Sequence, residues 1–161
     1  MSVVLFRVDE RLIHGQVVVG WGGRLRPDRI VVVDDELAGS RWEQELYSMG
    51  IPPELTAEFV TVGRAVERLP DWQSGAERVI LLTRDVATMN RLARSGLLRG
   101  EEVNIGGIHH APGRRQVLRY VFLSEDDRAL LLELAGRGAN VVARDVPGAR
   151  GVGIDELVDG P

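Results

Sequence analysis

The sequence predicts one doubly wound α/β domain, a single mostly parallel sheet with helices on both faces. Three observations carry this. Short apolar runs such as VVLFRV (3–8) and RIVVVD (29–34) show almost no polar alternation. Such runs suit strands covered on both faces, as in parallel sheets. They alternate with longer segments of helical pattern. The 161 residues fit one domain with a sizeable core, so the domain is expected to span 1–161.

Strands are predicted at 3–8, 29–34, 58–62 (EFVTV), 78–83 (RVILLT), 102–106 (EVNIG), 117–123 (VLRYVFL) and 139–143 (ANVVA). Helices are predicted over 15–25, 40–49, 63–71 and 85–95, the last with Met89, Leu92 and Ala93 on one face. A fifth covers 125–136. Ser124 stands as its N-cap, with Asp127 at the capping-box position in place of Glu. It carries Leu130, Leu131 and Leu134 and ends near Gly136 or Gly138. A C-terminal segment includes Asp155 to Val158. Trp42, Trp72, Tyr47 and Phe59 read as packing residues, and no repeat, linker or low-complexity tract interrupts the chain.

Composition removes much chemistry. The chain has no cysteine, and all 20 of its Lys+Arg residues are arginine. Disulfides, Cys-ligated metals and thiol nucleophiles are excluded. So are a Walker-type lysine, a Schiff base and the lysine of a phosphorelay receiver domain. Any covalent nucleophile is His, Ser, Thr, Asp, Glu or Tyr. A net charge of −4 argues against a nucleic-acid-binding surface. No run approaches the roughly 18 apolar residues of a membrane span. The start, MSVVLFRVDERLI, has no basic leader before an apolar segment. A cytoplasmic protein is expected.

In such a fold, chemistry belongs to the loops at the carboxyl ends of the strands. The first of these is Asp9-Glu10-Arg11-Leu12-Ile13-His14-Gly15-Gln16. It leaves the first strand and enters a helix near Gly15 and Gln16, where backbone N–H groups and the helix dipole favour anions. Arg7 and Arg11 stand close by in sequence. A neutral imidazole is a good nucleophile toward phosphorus, and guanidinium groups hold phosphoryl oxygens in bidentate fashion. By spacing alone, His14 is either that nucleophile or an ordinary surface or capping histidine.

The string Arg7-Val8-Asp9-Glu10-Arg11-Leu12-Ile13-His14-Gly15-Gln16-Val17, followed by Trp21, resembles a known signature. It is that of the IIB component of mannose/fructose/sorbose-type bacterial sugar phosphotransferase systems. The likeness continues in residues 30–36 (IVVVDDE), in Val103-Asn104-Ile105-Gly106-Gly107-Ile108-His109-His110, in 112–116 (PGRRQ), in 124–127 (SEDD) and in Arg137-Gly138. It therefore spans essentially the whole chain.

The resemblance implies a phosphocarrier of the same α/β fold. His14 would take a phosphoryl group from a phosphohistidine on the IIA component. It would then pass the group to a sugar entering through the IIC/IID membrane permease, at whose inner face the protein would work. No cofactor or metal is implied. Arg11 and backbone groups around Gly15 would stabilise the phosphoryl oxygens, with Arg7 and Gln16 as further phosphate contacts. Asp9 would orient the imidazole or Arg11, and His14 would sit on an exposed loop. Some members carry Arg or Lys near the motif tryptophan, where this chain has Gly20-Trp21-Gly22-Gly23, and these glycines weaken that helix.

Other residues leave two readings each. Thr83 ends the fourth strand and either approaches the phosphoryl group or starts the next helix with Asp85. Asp34-Asp35-Glu36 is like a receiver's acidic cluster, but also suits a carboxylate-rich helix start. His109 and His110 are adjacent and lack nearby ligands at metal spacing, so loop 106–116 reads as partner surface or plain loop. Arg114 and Arg115 contact a phosphate or partner, or are solvated. No segment reads as a sugar pocket, and sugar choice is expected in the permease. Two rival functions remain: a regulatory module phosphorylated on the same histidine, and a receiver-like or nucleotide-binding flavodoxin-type domain. The missing lysine, and the absence of a Gly-rich loop after the first strand, oppose the latter.

Overall fold

In a computed structural model, which describes residues 2–159, the strands are β1 (Val3–Val8), β2 (Arg29–Val33), β3 (Thr56–Val60), β4 (Val79–Thr83), β5 (Glu102–Ile105), β6 (Arg115–Leu118), β7 (Val121–Leu123), β8 (Asn140–Ala143) and β9 (Val152–Gly153). Seven of them form one sheet in the order β3-β2-β4-β1-β5-β8-β9. All neighbours run parallel except the β8–β9 pair.

Alternate residues of each strand serve opposite faces. On β2, Ile30 and Val32 pack with Leu5, Leu12, Val17, Trp21, Leu37, Ile80 and Leu82. Val31 and Val33 join the other core, with Phe6, Val8, Leu69, Trp72, Met89, Leu131 and Leu134. Burial on both faces is why these strands read as continuous apolar runs.

The helices are α1 (Gly22–Leu25), α2 (Arg41–Ser48), α3 (Val62–Ser74), α4 (Val86–Ala93), α5 (Glu125–Gly136) and α6 (Ile154–Asp159). The predicted 15–25 helix is a π-helical stretch, Gln16–Trp21, running into α1. Ser124 and Asp127 close the expected capping box on α5, and Gly138 takes a left-handed φ of 97° just beyond it.

Two expectations are corrected. The strand predicted at 117–123 is a hairpin: β6 pairs antiparallel with β7 outside the main sheet. The chain turns at Arg119 and Tyr120 without the Gly, Pro or Asn that normally signals a turn. Trp42 is not a packing residue. It is 68% exposed on α2, which buries none of its residues. Trp72 is buried, and Tyr47 packs against Phe59 with ring centroids 6.4 Å apart.

Candidate functional site

From β1 the chain crosses toward β2 on one side of the sheet. From β5 it proceeds toward β8 on the other. The crevice beyond the carboxyl ends of β1 and β5 is therefore the switch point of the topology. Arg7, Asp9, Asn104 and Gly106 all lie there.

Asp9 follows β1 directly, with its N–H donated to the Thr83 carbonyl at 3.0 Å. Leu12 turns the loop with φ of 56° and is fully buried. A left-handed leucine is strained and persists only when its surroundings dictate it; here its side chain anchors in the core. Val17 and Val18 then donate to the His14 carbonyl, which begins the π-helical turn.

The fully buried Asp9 carboxylate is the hub. Oδ2 accepts from Arg7 Nη2 (3.1 Å) and Arg11 Nη2 (3.1 Å), and lies 3.2 Å from His14 Nε2. Oδ1 accepts from the Arg11 backbone N–H and from Arg11 Nε, both at 3.1 Å. On the far side of the ring, the Gln16 N–H points at His14 Nδ1 from 3.3 Å. Both contacts are satisfied by one neutral tautomer, with the proton on Nε2 and the lone pair on Nδ1.

Burial alone would raise the Asp9 pKa. The hydrogen bonds from His14 and Arg11 and the charge of Arg7 outweigh it and hold the carboxyl well below the usual carboxylate range. Burial likewise lowers the Arg7 pKa, opposed mainly by Asp9.

Arg7 is fully buried. Besides Asp9 it donates to Asn104 Oδ1, to the Arg144 carbonyl (2.8 Å) and to the Asp145 carbonyl (3.1 Å). Its guanidinium also lies 5.2 Å from the Trp21 ring centroid. Its donors are thus committed inside the protein, which corrects the expectation of a direct phosphate contact. Gly106 makes room for the cluster: a Cβ there would stand 2.5 Å from Arg7 Cζ and 2.6 Å from Asp9 Oδ2. Arg11 remains one-third exposed and also donates to Gln16 Oε1 at 2.9 Å. The His14 side chain is only 16% exposed, more sheltered than the open loop expected.

The remaining candidates sort by their partners. Thr83 is buried beside Val8, and its hydroxyl donates to the Asp85 carbonyl, so it supports the loop by its backbone. Asp85 is the cap that starts α4. Asp34 accepts from the Glu36 and Leu37 N–H groups. Asp35 accepts from the Val62 N–H and pairs with Arg91 at 2.9 Å. Both carboxylates are thus engaged in local structure. Arg114 is mostly buried between Glu10 (3.2 Å) and Asp127 (3.4 Å), and Arg115 is exposed. His109 and His110 are exposed, and among the described residues no three His, Asp or Glu side chains are grouped to hold a metal.

Sequence reasoning assigned no role to Asn104, Glu10 or the carbonyls of Arg144 and Asp145. Asn104 did carry a signal, a polar residue inside the otherwise apolar run VNI; the backbone carbonyls carried none.

The family described as PTS system sorbose subfamily IIB component matches residues 3–160. The chain belongs to this family. Among IIB relatives, the N-acetylgalactosamine-specific phosphotransferase enzyme IIB component 1 of Escherichia coli is 31% identical over 150 residues, covering 91% of this chain and 92% of that protein. The sorbose-specific EIIB component of Lacticaseibacillus casei is 32% identical over 146 residues, 91% of this chain and 88% of that protein. The E. coli mannose-specific EIIAB component is 34% identical over 146 residues, 91% of this chain, which spans 45% of that relative's length.

The fold agrees with solved IIB structures. The IIBSor domain of the sorbose permease from Klebsiella pneumoniae superposes with a TM-score of 0.89 at 27% identity, covering 100% of this chain and 99% of that one. The manxB structure from Thermoanaerobacter tengcongensis gives 0.86 at 32%, covering 99% and 96%. As a IIB component, the chain is a protein of the sugar phosphotransferase system. Among the described residues of this IIB chain, no helix is long and apolar enough to cross a membrane.

Proposed function

We propose that the chain is a single phosphocarrier domain in which His14 takes a phosphoryl group from the phosphohistidine of a IIA component. It then passes the group to a sugar delivered by a IIC/IID permease at the inner face of the membrane. The observation that carries this reading is the pair of contacts on the His14 ring: Asp9 on Nε2 and the Gln16 N–H on Nδ1.

Asp9 holds the proton on Nε2, leaving the Nδ1 lone pair as the nucleophile. In the accepting step Nδ1 forms a bond to phosphorus as the donor's N–P bond breaks. The product carries a phosphoryl group on a ring whose Nε2–H faces a carboxylate, which stabilises the positive charge gained by the imidazole. Arg11, already held by Asp9 and Gln16, offers its outer edge to the equatorial oxygens. The Gln16 N–H, with Gly15 beside it, is positioned to pass from the lone pair to a phosphoryl oxygen. Arg7 neutralises the buried Asp9 charge, so the incoming dianion does not meet an uncompensated carboxylate.

The test uses phosphoenolpyruvate, the general phosphotransferase proteins and a cognate IIA component. The phosphorylated residue is mapped, and the bonded nitrogen is read from phosphorus–nitrogen couplings. Label is expected on Nδ1 of His14. Equal acid-labile labelling of His14→Ala would overturn the assignment, and label on Nε2 would overturn the role given to Asp9.

A further inference from the structure

The helix that begins at His14 has a second end. Its π-helical turn and α1 run down one face of the sheet, from the carboxyl end of β1 to Arg26 near the amino end of β2. Hydrogen bonds join the two ends turn by turn. The Val18 N–H donates to the His14 carbonyl at 2.9 Å, the Gly22 N–H to the Val17 carbonyl, and the Arg26 N–H to the Gly22 carbonyl at 2.8 Å. Val18, Gly22 and Arg26, four residues apart, lie on one side of this column. All three line a pocket of about 460 Å³ whose other wall is the loop leading into β3.

The pocket owes its room to the sequence. Gly22 and Gly23 bring no side chain to it, and a Cβ on Gly23 would meet nothing within 4 Å. Its walls are apolar: Val18, Pro27, Pro52 and buried Leu55. Two exposed charges of opposite sign also line it, Arg26 and Glu54. Among the described residues neither side chain has an ion-pair partner. A third charge, Asp28, is engaged by the Arg78 N–H at 2.9 Å. Arg26 holds a left-handed φ of 51° at the C-cap of α1. That position suits glycine, and residues strained in this way cluster at functional sites.

An apolar cleft of about 300–1,000 Å³ with a few convergent polar groups is the usual form of a small-molecule site. The charges define the ligand. A guanidinium takes a carboxylate in bidentate fashion, and a carboxylate takes an ammonium. A ligand with one charge leaves the other group unmatched. An apolar α-amino acid carries both charges at one end and offers a hydrocarbon body to the walls.

We propose that this pocket is a regulatory site for a free apolar α-amino acid, read by His14 through the helix between them. Bound there, the ligand ties Val18 and Gly22 to the loop before β3 and holds the π-helical register. π-Helical turns are rare and frequently mark functional sites, and Gly20, Gly22 and Gly23 make this one easy to shift. The coupling rests on the phosphocarrier reading above, in which charging of His14 moves the Gln16 N–H off Nδ1. A helix clamped in its resting register resists that movement, so the ligand slows charging.

Two measurements test it. In the first, the full chain is titrated with L-leucine and L-phenylalanine in turn, followed by amide chemical shifts. Millimolar binding of at least one is expected, with shifts at Val18, Gly22, Gly23 and Leu55. Arg26→Gly, which suits the left-handed backbone, and Glu54→Gln should each weaken binding by about tenfold or more. Probes with one charge, 4-methylpentanoate and 3-methylbutylamine, should bind more weakly to the same degree. No saturable shift, shifts elsewhere, or undiminished binding by the variants or of the singly charged probes would overturn the proposal.

In the second, charging of His14 by the IIA component is timed with and without the amino acid that binds, at a concentration saturating the wild type. A fall of about threefold or more is expected for the wild type and a smaller one for Glu54→Gln. An unchanged or faster rate, or an equal fall in Glu54→Gln, would overturn the proposal. Failure of the ligand-free wild-type chain to charge would instead strike the phosphocarrier reading, while the titration still reports on the pocket.

Discussion

His14 Nε2 lies 3.2 Å from Oδ2 of Asp9, a carboxylate with no exposed surface that also receives Arg7 and Arg11. One buried anion thus meets the histidine, holds one part-exposed arginine and confines another.

Replacing Asp9 by Asn tests that hub. Removing one member of a buried ion pair leaves the other uncompensated, so a loss of about 3–5 kcal/mol at neutral pH is expected in urea unfolding. The pH dependence has a definite sign. The folded state holds the Asp9 carboxyl below its ordinary value, so it binds a proton less readily than the unfolded chain. The stability so gained is full above the unfolded pKa of about 3.9 and is lost as pH falls through the lower folded value. The gap between wild type and Asp9→Asn should therefore shrink as the pH is taken below about 4. A gap constant across that range would show that Asp9 is not held as an anion.

Arg11 is one-third exposed and lies outside the core. Arg11→Ala should slow phosphorylation of His14 on the order of 10²-fold, the usual effect of removing a donor aimed at developing charge. A rate within about twofold of wild type, roughly 0.4 kcal/mol of barrier, would remove Arg11 from the mechanism.

Gly106 has no space for a side chain, because a Cβ would stand 2.5 Å from the Arg7 guanidinium carbon. Gly106→Ala is expected to cost about 1–3 kcal/mol through overpacking and to slow charging of His14 by displacing Asp9. Unchanged urea midpoint and unchanged charging would mean that the cluster yields freely.

The capping box of α5 joins Ser124 and Asp127 at 2.9 and 3.0 Å. Ser124→Ala should lower stability by about 1 kcal/mol, a fall of roughly 2–4 °C in melting temperature. Charging of His14 should not change. A loss of charging with no loss of stability would tie the α5 cap to the site.

Much of the fold was legible because each signal was local. Val31 and Val32 face opposite sides of the sheet, and both are apolar because both sides are covered. Ser124 and Asp127 cap a helix from three residues apart. The β6–β7 turn was not legible, since Arg119 and Tyr120 carry no turn chemistry and only pairing across the hairpin bends the chain there. Trp42 was misread because aromatic character says nothing about which face of α2 meets the sheet.

In the site, His14 and its neighbours Asp9, Arg11 and Gln16 lie within eight residues, so the sequence alone brought together the proposed nucleophile and the arginines near it. Which arginine keeps exposed surface was decided only by the tertiary structure. Arg7 and Arg11 are equivalent as letters, two residues either side of Asp9. β1 turns Arg7 into the crevice, where Asn104 from β5 and the carbonyls of Arg144 and Asp145 beyond β8 take its donors. Those partners lie 97 to 138 residues away in the chain. The order of strands in the sheet brings them together, and the buried charge needs every one of their oxygens.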